Sequence, residues 1–396
     1  MALAVTPCGE FVLAAVWDVN NHKGQMAVIA VQGRVRASEL ERSWDSMMAT
    51  GTWMYGVPSW PTTKGLKLLG FVDLPIAAPM AIKAGTSMGW QNNGRAEKPV
   101  NAHIDTLLNS QSERDTWHDS DPTVYPNYKA TARAGYAILT SRSENKVVFV
   151  DLKPLLQYYR KMYFTTQESY DKTKKVGPAS NQWPYTFDHS PEQMPVVASV
   201  LNVPAPTAVA AGLSAGHAAS PECPSANPSW QSLKLWRVTP NFGDRYAYVA
   251  TMGGKLLMYD VGRLITEKPT PPAPPVLYKT ITVGKNPTSL ENGNGGVYKN
   301  DLFINCRGDK SVYAVHPSGD IQHVLRDSRI NDPVMTENSY NARGETAARY
   351  FMHVVDLTGK KVHTYVYKQD FHEPVKFGAS TEVPGHPFAY QQDEVP

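Results

Sequence analysis

The sequence predicts an all-β chain, a β-propeller of four-stranded antiparallel blades that takes residues 1–396 as a single domain with long loop insertions. Three observations predict it. Prolines recur between strand-like segments, and between them pairs of apolar strands recur around short polar turns. The composition is also that of strands joined by turns, with 20 Tyr, 31 Pro and 28 Gly.

The prolines come first. Pro79, Pro206, Pro287, Pro333 and Pro387 lie in "DLPIAAPMAI", "NVPAPTAVA", "GKNPTSL", "RINDPVMT" and "VPGHPFAY", each after a strand-like run and before a short apolar one. Their spacings are 127, 81, 46 and 54 residues. The two short ones match a blade of roughly 40–50 residues, and the long ones require insertions. Proline suits the crossing from an outer strand to the next inner one, where the backbone leaves the ladder and a missing N–H costs little.

The strand bodies follow in order. Residues 9–18 with 24–31, 135–152, 245–261, 301–320 and 348–367 each read as an apolar strand, a turn and a second β-rich strand. Outer strands at 66–75, 195–204, 276–287 and 323–333 lead back to the prolines. Five bodies are recognisable, and seven blades are favoured because a ring must close to protect its edges. The stretch "MALAVTP" opens inside a unit. The missing blades are therefore expected either upstream of Met1 or, in degenerate form, within 32–63 or 90–132. The first residues lack the basic start of a signal peptide.

Three stretches resemble the YVTN (YncE-like) family of propeller repeats. Thr6-Pro7-Cys8-Gly9 is similar to its turn, and "YAYVA" at 246–250 and "VVFVDL" at 147–152 are similar to its strands. The resemblance implies a periplasmic or extracellular protein. It also implies company among propeller subunits of periplasmic redox enzymes and surface-layer-type propellers. It is specific for fold and poor for function.

Charge and cysteines exclude several classes. A net charge of +3, with no basic block beyond "DKTKK", argues against nucleic acid as a partner. No apolar run is long enough for a membrane span. Cys8, Cys223 and Cys306 offer no zinc, haem or C-x-x-C spacing and at most one disulfide.

Function should lie in the insertions near 32–63, 90–132, 164–194 and 211–235, since loops this long in a compact domain are usually functional. Residues 152–164 read as a short helix between the third and fourth strands of a blade. His118, Asp119, Asp121 and His189 are the candidate metal ligands, with His103, His217 and Cys223 in the same insertions. Such a mixed set suits Zn²⁺, Cu²⁺ or Ca²⁺, although no motif implies a cofactor. The plain alternative is that loops are polar and the His frequency is ordinary. Trp44, Trp53, Trp60, Trp90, Trp117, Trp183 and Trp230 fall in or beside the insertions, either as partner-binding aromatics or as anchors that tether the loops.

No catalytic motif stands out. There is no G-x-S-x-G, Cys306 reads as a buried small hydrophobe, and the "RGD" at 307–309 reads as a hairpin turn. The expectation is a binding or scaffolding propeller without catalysis of its own. It would act with a protein partner, as a subunit of an extracytoplasmic redox complex. The alternatives are a metal-dependent hydrolase or oxidase with its site over the central channel, and a surface-layer or adhesion module.

Overall fold

The structure is a computed structural model. It describes residues 2–6, 11–31, 34–35, 62–63, 66–86, 111–112, 114, 134–173, 175–211, 246–265, 274–292, 302–316, 319–341, 349–367 and 374–388.

These residues form five four-stranded antiparallel sheets, here blades 1–5. Blade 1 is built from β1 (Ala2–Val5), β2 (Phe11–Asp18), β3 (Lys23–Val31) and, after the two-residue strands β4 (Arg34–Val35) and β5 (Thr62–Thr63), β6 (Leu66–Leu74). Blade 2 comprises β7 (Ala81–Thr86), β8 (Gly135–Ser141), β9 (Lys146–Asp151) and β10 (Val196–Asn202). Blade 3 comprises β11 (Pro206–Ala210), β12 (Tyr246–Thr251), β13 (Lys255–Asp260) and β14 (Val276–Thr282). Blade 4 comprises β15 (Pro287–Asn292), β16 (Leu302–Cys306), β17 (Ser311–Val315) and β18 (Ile321–Arg326). Blade 5 comprises β19 (Pro333–Asn341), β20 (Arg349–Asp356), β21 (Lys361–Tyr367) and β22 (Lys376–Glu382). The first strands of successive blades lie side by side, so β1, β7, β11, β15 and β19 form the inner layer. The fold is the expected β-propeller.

The prolines stand at the crossovers. Pro206, Pro287 and Pro333 open β11, β15 and β19, Pro79 precedes β7 by two residues, and Pro387 follows β22. The register slips by one residue just after Pro206, Pro287 and Pro333, so each begins its strand with a bulge. The carbonyl before each of these prolines is used as well. Ala205, Asn286 and Asp332 accept from the N–H of Met252, Arg307 and Leu357 at 3.0–3.1 Å.

A second repeat is carried by conformation rather than residue type. The residue just before the third strand of every blade has positive φ: His22, Asn145, Gly254, Lys310 and Lys360, between 52° and 80°. The turn between second and third strands is therefore the same device five times, and a left-handed residue closes it.

The cores lie between blades. Four apolar clusters join blades 1 and 2, 2 and 3, 3 and 4, and 4 and 5. Among the described residues no such cluster joins blade 5 to blade 1. Cys306 sits inside the blade 3–4 cluster, where burial pushes its thiol up to about 12, so it is the inert hydrophobe expected. The "RGD" is likewise structural. Arg307 grips Asp332 through two hydrogen bonds, Gly308 approaches Lys285 too closely for a side chain, and Asp309 accepts from Ser311.

Candidate functional site

The insertion at 164–194 is the one expected functional segment that is described in full apart from residue 174. It begins with α1 (Lys153–Phe164), which follows β9 directly and carries Pro154 in its first turn, where a missing N–H is harmless. Asp151 accepts from the Lys153 N–H at 2.8 Å, and burial pushes its carboxyl above the ordinary range. Leu155, Leu156, Tyr159, Met162 and Tyr163 recur at helical spacing and pack into the blade 1–2 core. A second helix, α2 (Gln167–Thr173), follows.

Trp183 closes this module. It is fully buried, its ring 4.9 Å from Tyr159 and 5.5 Å from Tyr163, and its Nε1 donates to the Tyr163 hydroxyl at 3.0 Å. Blade 1 holds the module from outside. The Lys67 ammonium donates to the carbonyls of Gly177, Ala179 and Gln182, each at 2.8 Å, and the Phe187 ring fills the space that a side chain at Gly70 would occupy. Of the two readings for insertion aromatics, Trp183 takes the anchor role.

His189 lies on this module, exposed, with its ring 4.8 Å from that of Tyr185. His118, Asp119 and Asp121 lie outside the described residues, as do His103, His217, Cys8 and Cys223 and the other six insertion tryptophans. Among the described residues no group of three or more His, Cys, Asp or Glu side chains is placed to hold a metal ion.

Near the axis, Lys83 of β7 pairs with Glu291 of β15 at 3.2 Å, joining blades 2 and 4 past the inner strand of blade 3. Both stand four residues after a crossover proline, as do Ala210 and Glu337. Spacing from the proline could have found this position in the sequence.

An array that motif reading missed lies on blade 5. The His363 ring meets the Ser380 hydroxyl at 2.7 Å through Nδ1 and the Asp356 carboxylate at 3.4 Å through Nε2. It contains a hydroxyl, an imidazole and a carboxylate, as a nucleophilic triad does. Its hydrogen bonds assign it otherwise. Asp356 is fully buried and accepts from the backbone N–H of Asn331, Asp332 and Gly359 at 2.9, 3.0 and 2.9 Å, all shorter than its contact to His363. It fastens the crossover between blades 4 and 5 to a turn of blade 5. Glu144 does the same between blades 1 and 2, accepting from Ala77 and Ala78.

What remains is a surface. Blade 1 turns one face to blade 2, and its other face carries two apolar rows across all four strands. They are Val5–Val12–Ile29–Leu68 and Leu3–Ala14–Ala27–Phe71, with Val31 and Leu66 beside them. Leu3, Val5, Leu66, Leu68 and Phe71 are 63, 60, 64, 45 and 44% exposed. This face is the candidate site, and what it offers is exposed apolar area and not a set of reactive groups.

No family model and no curated protein matches the chain. Solved structures do, at the level of the fold. The periplasmic gluconolactonase PpgL of Pseudomonas aeruginosa is 12% identical with a TM-score of 0.45, over 100% of this chain and 73% of that one. The β-propeller domain of Cps50 (Swd1) from Myceliophteria thermophila is 10% identical with a TM-score of 0.39, over 97% and 72%. A catalytically inactive virginiamycin B lyase of Staphylococcus aureus is 10% identical with a TM-score of 0.36, over 96% and 76%. They include enzymes and a WD40 propeller. No described helix is long and apolar enough to cross a membrane.

Proposed function

We propose that the chain is a binding propeller that acts in a protein assembly, holding a partner instead of transforming a substrate. The open apolar face of blade 1 carries this reading. Five aliphatic or aromatic side chains exposed on one sheet face are more than a surface leaves bare without use. Covering what they still expose is worth roughly 10 kcal/mol by area, before the costs of association. The repeat resemblance adds the setting, a periplasmic or extracellular redox complex.

The test is purification of the tagged chain from its native cells, followed by mass and stoichiometry of the complex. A partner at fixed stoichiometry is expected. The double variant Leu68→Asp with Phe71→Asp should release it while keeping the far-ultraviolet circular dichroism of the parent. A partner retained by that variant, or a bare monomer from native cells, overturns the reading. Metal analysis of the same material tests the alternative on His118, Asp119, Asp121 and His189. Zinc, copper or calcium at one per chain, lost on replacing His118, would put a metal-dependent function in its place.

A further inference from the structure

We infer a second docking surface, at one end of the blades and across blades 2–4, that receives an acidic, extended segment of a partner protein. This rests on the reading of a binding propeller but uses none of the blade 1 face.

The strand order gives the blades two unlike ends. The turns between second and third strands share one end with the crossovers, to which they are hydrogen-bonded. The N–H of Gly24, Met252, Arg307 and Leu357 donate to the carbonyls of Ile76, Ala205, Asn286 and Asp332. Each stretch outside the described residues, from β1 to β22, joins a first strand to a second or a third to a fourth. It therefore starts and finishes at the opposite end, and no insertion rises from the turn end.

Charge is uneven across the turn end. The turns 141–146, 251–255 and 306–311 with the crossover 283–286 carry six cations and two carboxylates. The rest of this end, at 18–23, 73–80, 327–332, 356–361 and 382–386, carries four cations and six carboxylates. Of the six cations Arg307 is paired with Asp332, while among the described residues Arg142, Lys146, Lys255, Lys285 and Lys310 form no ion pair. The two carboxylates are already engaged. Glu144 accepts from the Ser141 hydroxyl and from the N–H of Ala77 and Ala78, and Asp309 accepts from the Ser311 hydroxyl.

The cations lie along one strip. Arg142 donates to the Met252 Sδ at 3.4 Å, the Asn286 N–H to the Met252 carbonyl at 3.1 Å, and the Gly308 N–H to the Lys285 carbonyl at 2.9 Å. The turns of blades 2, 3 and 4 thus touch in order, and Arg142, Met252, Lys255, Lys285 and Lys310 are exposed. Cations gathered without counter-charge leave a positive potential that a run of carboxylates complements. A flat anionic membrane would cover the whole end and meet Asp18, Asp73 and Glu382 as well, whereas a segment lying along blades 2–4 meets the cation-rich part alone. The strip has no aromatic side chain on which a nucleic-acid base could stack.

The test measures binding of a fluorescent peptide of ten glutamates to the purified full chain. It should bind at about 50 mM salt and about tenfold more weakly at about 200 mM. The triple variant Arg142→Gln, Lys285→Gln and Lys310→Gln should bind it at least about tenfold more weakly than the parent. The variant Lys23→Gln, Lys360→Gln and Lys361→Gln removes as much charge from blades 1 and 5 and should bind as the parent does. Equal losses in the two would mean net charge alone and overturn the surface. Tighter binding after deletion of 389–396, which removes Asp393 and Glu394, would give the strip to the chain's own tail and overturn the partner segment. Binding to phosphatidylserine vesicles but not to the peptide would overturn it in favour of a membrane. Leu68→Asp with Phe71→Asp should leave peptide binding intact, so this inference and the blade 1 reading fail separately. In native cells a photo-crosslinking amino acid at Met252 should link to a stretch of another polypeptide rich in Asp and Glu. A link to a stretch without them would overturn the inference.

Discussion

Blade 1 has two faces of similar composition and opposite surroundings. One presents Phe11, Leu13, Met26 and Val28, each fully buried against blade 2. The other presents Leu3, Val5, Leu68 and Phe71, between 44 and 63% exposed. The strand β2, FVLAAVWD, is apolar at nearly every position, which is how a strand covered on both sides reads. A sheet with one wet face would alternate. The strand is apolar on both faces, and among the described residues only one of them is covered.

The largest expected effect breaks or keeps this comparison directly. Phe11→Ala leaves a cavity in the blade 1–2 core and should cost about 3–5 kcal/mol in chemical denaturation. Phe71→Ala in the chain alone should cost less than about 1 kcal/mol, as surface changes do. Equal costs would mean that Phe71 is already covered, and the two faces would not differ.

The next effect compares the two kinds of joint between blades, apolar core and hydrogen-bonded crossover. Burial pulls the Asp356 carboxyl up, but the N–H groups of Asn331, Gly359 and Asp332, with His363, outweigh it and hold the group below the ordinary range. Asp356→Ala strands these donors and should cost about 2–4 kcal/mol. A carboxyl with a lowered folded value adds stability above its unfolded value, near 3.8, and loses it as pH falls through the folded value. Denaturation midpoints should therefore fall on acidification below about pH 4 less steeply in Asp356→Asn than in the parent. Ser380→Ala, at an exposed hydroxyl, should move the midpoint little. A Ser380→Ala loss as large as that of Asp356→Ala would make the hydroxyl, not the crossover, the reason for the array.

Much of the fold was legible because its signals are local. A proline that opens an inner strand, a paired strand body and the helix at 152–164 can each be read within about twenty residues. The candidate site was not legible for the opposite reason. Leu3, Ala27 and Phe71 share a row only through the pairing of β1, β2, β3 and β6, across an insertion of thirty-odd residues. Asp356, His363 and Ser380 likewise meet through register, with no motif spacing to announce them. The aromatic signal pointed to the right segment and left two uses open at Trp183, since a buried anchor and an exposed contact have the same letter; burial decides for the anchor.

The smallest expected effect asks whether the axis contributes to holding the blades together as the faces do. Lys83 and Glu291 pair at 3.2 Å between blades 2 and 4, but their side chains are 41 and 22% exposed, so water screens the attraction. An ion pair of this exposure is worth about 0–1 kcal/mol. Lys83→Met keeps the aliphatic stem and removes the charge, and should shift the denaturation midpoint barely beyond error at low salt and not at all at 1 M. The blades are then joined by their faces and crossovers, and the axial pair sets local charge without holding the ring. A loss above about 2 kcal/mol that persisted in high salt would reverse this ranking. It would make the axis, not the blade-to-blade face, the contact that organises the molecule.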